Sequence, residues 1–253
     1  MLIESLEMRR MFASVWNPAF WNYGNDTIKI YMSGSNVVVK GNTIYASRPL
    51  SQVSGLKIYA GLGNDSVKCA LDLPLTVSLY GGAGNDTLFG GARGDYFSGG
   101  GSEDWIMAGY GNDTVYGDHG NDMVNGEAGI DIIMDGSGND FLQGMDGTDF
   151  IAGDYGNDTI YGHTGNDWIG GGPGNDVLYG DGGDDCLWGA DGNDVLHGGE
   201  GRDTMTGGNG SDAFFAKDFT QDKLYLGGDM ADWWVQTDSF DLVSQAASSG
   251  GVI

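Results

Sequence analysis

Apolar and polar positions between residues 81 and 215 follow one nine-residue pattern, which runs fifteen times without an insertion. The eighth position is apolar in every copy, from Leu88 to Phe214, the sixth is always Asp, and the first and fourth are Gly in thirteen copies each. Because side chains alternate along a strand, positions seven to nine predict a short strand whose middle residue faces an interior. The glycine-rich positions one to six predict turns. Such a period indicates a repeat architecture.

The repeat predicts an all-β tower in which two units form one coil and successive coils stack as parallel strands. Equivalent positions then lie about 4.8 Å apart, so the position-six carboxylates form two columns that repel along their length. Hard cations that prefer oxygen ligands, such as Ca²⁺, relieve this repulsion. The predicted ligands in the fifteen copies are Asp86, Asp95, Asp104, Asp113, Asp122, Asp131, Asp140, Asp149, Asp158, Asp167, Asp176, Asp185, Asp194, Asp203 and Asp212.

The order Gly-Gly-x-Gly-x-Asp-x-apolar-x resembles the RTX family, also called hemolysin-type calcium-binding repeats. The resemblance covers just over half of the chain. It implies a right-handed parallel β-roll, a form of β-solenoid, with Ca²⁺ held between successive turns on both edges. It also implies that the position-six Asp residues are side-chain ligands and that turn carbonyls complete each shell. Arg93 and Ser102 replace the fourth glycine, so the turns at 90–95 and 99–104 are expected to hold weak sites or none.

Net charge supports the same interpretation. Residues 81–215 carry −23 of the formal −25 of the chain, and roughly a dozen divalent cations between stacked turns would neutralise them. An acidic face that only keeps the protein soluble is the alternative, but solubility does not require a nine-residue period. A sequence pI near 4.1 without a basic patch argues against nucleic acid as a partner.

Residues 21–80 read as an irregular N-terminal β-solenoid region with partial copies of the repeat at 21–28 and 60–67. The second of these copies places Asp65 beneath Asp86, which adds Asp65 to the predicted calcium ligands. Asp26 is a weaker candidate, because 30 residues separate its copy from the next one.

The two ends of the chain depart from the repeat. Residues 1–20 are expected to form a leader or an N-terminal cap: Leu6-Glu7-Met8-Arg9-Arg10 resembles a short leader of many exported bacterial proteins, and no apolar run is long enough for a membrane span. Residues 216–253 are expected to form a C-terminal cap, with a closing strand or two, an aromatic plug and a loose tail.

Sequence motifs of catalysis are absent. The chain contains no Gly-x-Ser-x-Gly, His-Glu-x-x-His, phosphate-binding loop or Cys-x-x-Cys. His119, His163 and His197 fall at different repeat positions, so no common geometry groups them, and the two cysteines do not indicate a disulfide framework. The sequence therefore predicts a protein that is not an enzyme.

Outward positions seven and nine are rich in aromatic residues. They are Phe89, Tyr96, Trp105, Tyr116, Phe141, Phe150, Tyr161, Trp168, Tyr179, Trp188 and Phe215. Stacking two copies apart predicts one ladder of Ile132, Phe150, Trp168 and Cys186, with Tyr161 beside Tyr179 on the other sheet. These side chains either stiffen the sheets or form an exposed apolar surface that binds a glycan, a partner chain or another copy of this chain. The overall prediction is an extracellular or cell-surface calcium-binding β-roll. The alternatives are an adhesive or carbohydrate-binding module and a structural subunit of a surface assembly.

Overall fold

The computed structural model describes residues 15–16, 24–42, 45–216, 218, 220–227, 233–237 and 242–244. The leader or cap expected at residues 1–20 lies outside the described residues except for 15–16, and the expected loose tail lies outside them beyond residue 244.

The described chain forms β-strands throughout, apart from one turn of 3₁₀ helix at Leu50–Gln52. The strands before the repeat and at its start are β1 (Val15–Trp16), β2 (Thr27–Ser33), β3 (Asn36–Lys40), β4 (Tyr45–Pro49), β5 (Gly55–Leu62), β6 (Ser66–Cys69), β7 (Thr76–Ala83) and β8 (Thr87–Phe89). The strands of the repeat are β9 (Tyr96–Gly101), β10 (Trp105–Tyr110), β11 (Thr114–His119), β12 (Met123–Ala128), β13 (Ile132–Ser137), β14 (Phe141–Asp146), β15 (Phe150–Tyr155), β16 (Thr159–Thr164), β17 (Trp168–Pro173), β18 (Val177–Gly182), β19 (Cys186–Asp191), β20 (Val195–Glu200), β21 (Thr204–Asn209) and β22 (Ala213–Ala216). The last strands are β23 (Lys223–Tyr225), β24 (Trp233–Thr237) and β25 (Leu242–Ser244).

The strands form two sheets of 12 and 13 strands, and from β5 onward they alternate between the sheets, so that each pairs with the strand two places away along the chain. All pairs within the repeat are parallel, and they keep a register of 18 residues, as in Ile133 against Ile151. The predicted parallel β-solenoid is therefore confirmed. No helix in the described part of the chain has the length and apolar character that crossing a bilayer requires.

The strands are longer than the sequence predicted. A typical strand, β11, runs from position seven of one copy to position three of the next and buries its second and fourth residues. The prediction that positions one to six form turns is wrong for positions one to three. Their backbone groups pair with the adjacent coil, as Asp118 does with Gly136. This pairing outweighs the low strand propensity of glycine.

A single column of apolar side chains fills the interior. All fifteen position-eight residues are exposed by at most 2%, as the sequence predicted, and the same core continues below the repeat through Val67 and Ile28. Each coil therefore covers the apolar face of its neighbours, which is how a repeat that cannot bury its own face becomes stable.

The N-terminal end of the tower is closed by an antiparallel meander. Strand β2 pairs in parallel with β6 and antiparallel with β3, and β4 pairs antiparallel with β3. The valines of β3, Val37 to Val39, are fully buried. This meander takes up the 30 residues between the first two partial copies and covers a sheet edge that would otherwise be open to pairing.

The C-terminal end continues both sheets in parallel. Strand β23 pairs with β21 and β25, and β24 pairs with β22, so the predicted closing strands are present. The side chains of the expected aromatic plug lie outside the described residues.

Gly165, at position four of the copy at 162–170, is favoured both by its positive φ and by the lack of space for a side chain. The φ of Gly165 is +139°, and a Cβ added there would lie 1.4 Å from the carbonyl oxygen of Gly147. Gly170, in the same copy, has open space around its added Cβ. We expect Gly165→Ala to lower the free energy of unfolding by on the order of 3 kcal/mol, and Gly170→Ala to change it by less than about 1 kcal/mol. Urea unfolding in excess calcium measures both. Equal losses would contradict this packing of the turns.

Candidate metal centres

The predicted ligands form two columns of buried carboxylates at the two edges of the tower. The first column contains Asp65, Asp86, Asp104, Asp122, Asp140, Asp158, Asp176, Asp194 and Asp212, and it begins at Asp26. The second column contains Asp95, Asp113, Asp131, Asp149, Asp167, Asp185 and Asp203, and it ends at Asp222. No member of either column is exposed by more than 5%.

One hydrogen bond per coil orients every carboxylate in the same way. The N–H of Asp131 donates to Oδ1 of Asp149 at 2.8 Å, and the N–H of Asp149 donates to Oδ1 of Asp167 at 2.8 Å. Each side chain therefore reaches back to the backbone of the preceding coil. The spacing of carboxylates is consequently fixed by the strand ladder.

The other oxygen of most carboxylates is buried without a donor. Among the described residues, no group donates a hydrogen bond to Oδ2 of Asp65, Asp86, Asp104, Asp113, Asp131, Asp140, Asp149, Asp158, Asp167, Asp176, Asp185, Asp194 or Asp203. A buried polar atom without a partner costs free energy, and a buried charge costs more. A hard cation satisfies several such oxygens at once, so these residues fit Ca²⁺.

At several position-one glycines, a backbone carbonyl of the next coil lies beside the Asp Oδ2 atom. A Cβ added to Gly81 would lie 2.4 Å from Oδ2 of Asp86 and 2.5 Å from the carbonyl oxygen of Gly99 in the next coil. The space beside Gly81 is thus bounded by a carboxylate of one coil and a carbonyl of the following coil. A calcium shell uses both kinds of oxygen, and a side chain at position one would occupy this space.

The backbone at position two has a positive φ in fourteen of the fifteen copies. Seven of these residues are not glycine: Asp118, Glu127, Met145, Asp154, His163, Asp181 and Ala190. For an L-residue this conformation costs roughly 1–2 kcal/mol. The turns therefore keep a positive φ at position two even where the residue is not glycine. This indicates that the backbone conformation itself is required.

The exception is the copy at 90–98. Gly91 lacks the positive φ, and its N–H donates to Oδ2 of Asp95 at 2.9 Å, while Val77 N–H donates to Oδ1 at 2.8 Å. Asp95 is thus satisfied by protein donors. In the other turn with a substituted glycine, Ser102 adopts a φ of 85° and Oδ2 of Asp104 has no donor. The structure separates the two turns that the sequence grouped together, and only the turn at 90–95 departs from the common geometry.

Three acidic residues at these sites were missed or underrated from the sequence. The N–H of Asp26, the weaker candidate, donates to Oδ1 of Asp65 at 2.6 Å. Asp222 was missed, although Asp203 N–H donates to its Oδ1 at 2.8 Å. The signal was Asp222-Lys223-Leu224-Tyr225, which repeats the end of the nine-residue unit one residue out of phase. The third is Asp135, a buried carboxyl at position one.

Burial raises the pKa of the column carboxyls. The pKa of Asp113 rises from 3.8 to about 8, chiefly because burial penalises its charge and also because Asp131 and Asp95 are negative. The pKa of Asp104 rises to about 7 and that of Asp167 to about 6, again mainly through burial. Hydrogen bonds from the backbone oppose these shifts but do not cancel them. Without metal, Asp113 in the folded column therefore holds a proton at neutral pH, and the other raised carboxyls take up protons at a higher pH than free Asp does.

These shifts predict that acid promotes folding of the metal-free chain. Each raised pKa makes the folded state bind protons that the unfolded state has lost, so stability falls as pH rises from 3.8 through about 8. We expect the β-sheet circular dichroism of the chelated protein to increase as pH is lowered from 8 to about 5, while the calcium-bound protein shows no such increase. The range ends above the pI of about 4.1 to avoid precipitation. A metal-free signal that stays constant or falls on acidification would contradict the account.

Comparison with known families agrees with this geometry. The profile of the RTX calcium-binding nonapeptide repeat (4 copies) matches at residues 78–97, 98–133, 126–160, 134–169, 152–187, 161–196 and 188–218. Together these matches cover residues 78–218, which is more than half of the chain. A search of curated proteins gives no match.

Proposed function

Because the chain belongs to the family of RTX calcium-binding nonapeptide repeats, we propose that this calcium-binding protein acts outside the cell, in secreted form or at the cell surface. It folds there as it takes up Ca²⁺, and it is not an enzyme. The observation that carries the proposal is the pair of columns of buried carboxylates, most of whose Oδ2 atoms have no donor among the described residues.

The ions lie between consecutive members of each column. A carboxylate oxygen from each of two coils and the neighbouring turn carbonyls supply the hard oxygen ligands that Ca²⁺ prefers. The ligands are the sixteen predicted Asp residues, together with Asp26 and Asp222, and the bound ions number roughly a dozen. Asp95 contributes little, because backbone donors already satisfy both of its oxygens.

The difference in calcium concentration between the cytosol and the exterior makes folding depend on where the chain is. Extracellular calcium modules bind with Kd of order 10⁻⁴–10⁻³ M, far weaker than cytosolic buffers. At cytosolic calcium the carboxylates repel and the glycine-rich chain loses much entropy on ordering, so it stays unfolded and able to pass through an export channel. External calcium then supplies the folding free energy.

The arrangement of histidines supports a role without catalysis. His197 stacks between Tyr179 and Phe215, with ring centroids 4.5 and 4.2 Å away. His163 lies beside Asp181 at 3.4 Å, and His119 Nδ1 contacts Ser137 Oγ at 2.8 Å. The three rings lie in different coils, each with its own local partner, and do not converge on one site.

The count of bound ions tests the proposal. Asp149 contributes to the gaps toward Asp131 and toward Asp167, so Asp149→Asn is expected to reduce the number of bound calcium ions by one or two. Asp95→Asn makes the same chemical change where both oxygens already accept backbone hydrogen bonds, and it is expected to leave the count unchanged. Native mass spectrometry in millimolar calcium gives both counts. An unchanged count for Asp149→Asn, or an equal loss for Asp95→Asn, would contradict the proposal that each ion is shared by the Asp residues of two successive coils.

A second candidate function, binding of neutral glycans, is favoured by an open cleft of about 620 Å³ on the 12-stranded sheet. Phe150, Trp168 and Trp188 are 48%, 61% and 59% exposed around it. Gly170 forms part of the floor, and an added Cβ there would contact nothing within 4 Å. The paired register Ile132–Phe150–Trp168–Cys186 matches the predicted ladder.

The chemistry of this cleft suits a sugar ring. Exposed indole faces pack against the apolar face of a neutral sugar, and Asp154, which also lines the cleft, can accept hydrogen bonds from hydroxyl groups. The charge of −25 opposes anionic glycans. By contrast, Tyr161 and Tyr179 stack on each other at 4.5 Å with an interplanar angle of 5°, which fits the stiffening role that the sequence left open.

Replacement of Trp168 tests the cleft. Trp168→Ala should weaken binding to any neutral oligosaccharide captured on a glycan array by about tenfold, since a stacked aromatic contributes on the order of 1 kcal/mol or more. Trp105→Ala removes a 46% exposed indole on the other sheet and is expected to leave binding unchanged. Absence of any bound glycan, or equal effects of the two variants, would remove this function from consideration.

A further inference from the structure

At position one, a single copy of the repeat carries an acidic residue, whereas the other copies carry no polar side chain there. Position one is Gly in thirteen copies and Ala108 in another, but it is Asp135 in the copy at 135–143. Asp135 is the fourth residue of β13, a position that faces the interior, and it is only 1% exposed. Its carboxylate therefore lies inside the tower, beside the apolar column.

Two column carboxylates meet Asp135 inside the tower. Asp122, Asp135 and Asp140 each place one carboxylate oxygen within 4.8 Å of the others. A Cβ added to Gly117 in the preceding coil would lie 1.9 Å from Oδ1 of Asp135 and 2.7 Å from Oδ2 of Asp122. The carboxylates thus converge over the bare backbone of Gly117. It is the one such three-residue group in the part of the chain that the structure describes.

Within the described residues, backbone N–H groups reach only Oδ1 of Asp122 and Oδ1 of Asp140 in this cluster. Neither oxygen of Asp135 accepts a hydrogen bond there, and Oδ2 of Asp140 has no donor either. The ion pairs that the structure shows, at His163 and at Arg202, lie in other coils. Burial raises the pKa of Asp135 well above its usual value. The negative charge of Asp140, a hydrogen bond between the two carboxyls, and the negative charges of Asp122 and Asp158 raise this pKa further. An isolated buried carboxylate is among the costliest groups in a protein interior.

We propose that Asp122, Asp135 and Asp140 form a cation site with a ligand set unlike that of the other coils. Elsewhere two carboxylates face one ion, whereas here three do. The site rests on the proposed calcium-binding function, since Ca²⁺ is its natural ion. It binds that ion more tightly than the column sites do, and its third negative charge favours trivalent over divalent cations.

The position of the site in the tower gives it a role in assembly. Residues 117–143 lie in the middle part of the repeat, with several coils on either side. In a stack whose coils contact only their neighbours, order can start anywhere and spread. A tighter central site makes this coil pair the first to order when calcium rises and the last to lose its ion, so the tower grows outward from it in both directions.

Terbium replacement in the calcium-folded protein tests the site directly. With the tower held folded by excess calcium, Tb³⁺ is added below one equivalent, and its luminescence and the released calcium are measured. We expect the first equivalent to bind about tenfold or more tightly than later equivalents, because of the extra buried charge. Asp135→Asn keeps the side-chain volume and removes the charge, so this first phase should disappear. Asp191→Asn, the same change at an exposed position-three residue in another coil, should retain it.

The outcomes separate this inference from the proposed function. A tight first phase that persists in Asp135→Asn, or that is missing from the wild-type protein, overturns the three-carboxylate site while calcium-dependent folding stands. In that case Asp135 is a buried protonated acid that shares its proton with Asp140. If the wild-type protein neither binds calcium nor needs it to fold, the proposed function itself fails, and this site fails with it.

Discussion

Repulsion between stacked carboxylates is the constraint on which the rest of this structure depends. Parallel strand pairing fixes successive Asp side chains one strand spacing apart, and each Oδ1 accepts a hydrogen bond from the coil before it. Most of the Oδ2 atoms are left buried without a donor among the described residues. The apolar column that fills the interior has no group that could neutralise them. This arrangement of the tower fits cations between its turns.

The glycine pattern follows from the same constraint. At several position-one glycines, a carbonyl of the next coil lies beside the Asp Oδ2 atom, as the carbonyl of Gly99 does for Asp86. At position four, glycine lets adjacent turns approach closely, as Gly165 does above Gly147. Where the copy at 90–98 departs from this pattern, backbone donors satisfy Asp95 instead. Where Asp135 replaces a position-one glycine, a third carboxylate enters the interior. The copy at 90–98 therefore offers an ion fewer free carboxylate oxygens, and the copy at 135–143 offers more.

Much of this could be predicted from the sequence, because a strict period fixes which residues stack. The apolar interior, the two Asp columns and the outward ladder at Trp168 all follow from spacing alone. The extension of strands through positions one to three could not be predicted, since it depends on pairing with neighbouring coils. Asp222 was missed because a one-residue shift hides it from the nine-residue phase, and the difference between the turns at Arg93 and Ser102 appears only in backbone geometry.

Circular dichroism at pH 7 with and without calcium tests the central claim most directly. In millimolar calcium the account predicts a strong β-sheet spectrum, because ions satisfy the buried Oδ2 atoms. In excess chelator it predicts a largely disordered spectrum, which returns to β-sheet when calcium is restored. A strong β-sheet spectrum that persists in excess chelator would contradict the account, since the carboxylate columns would then be stable without their ions.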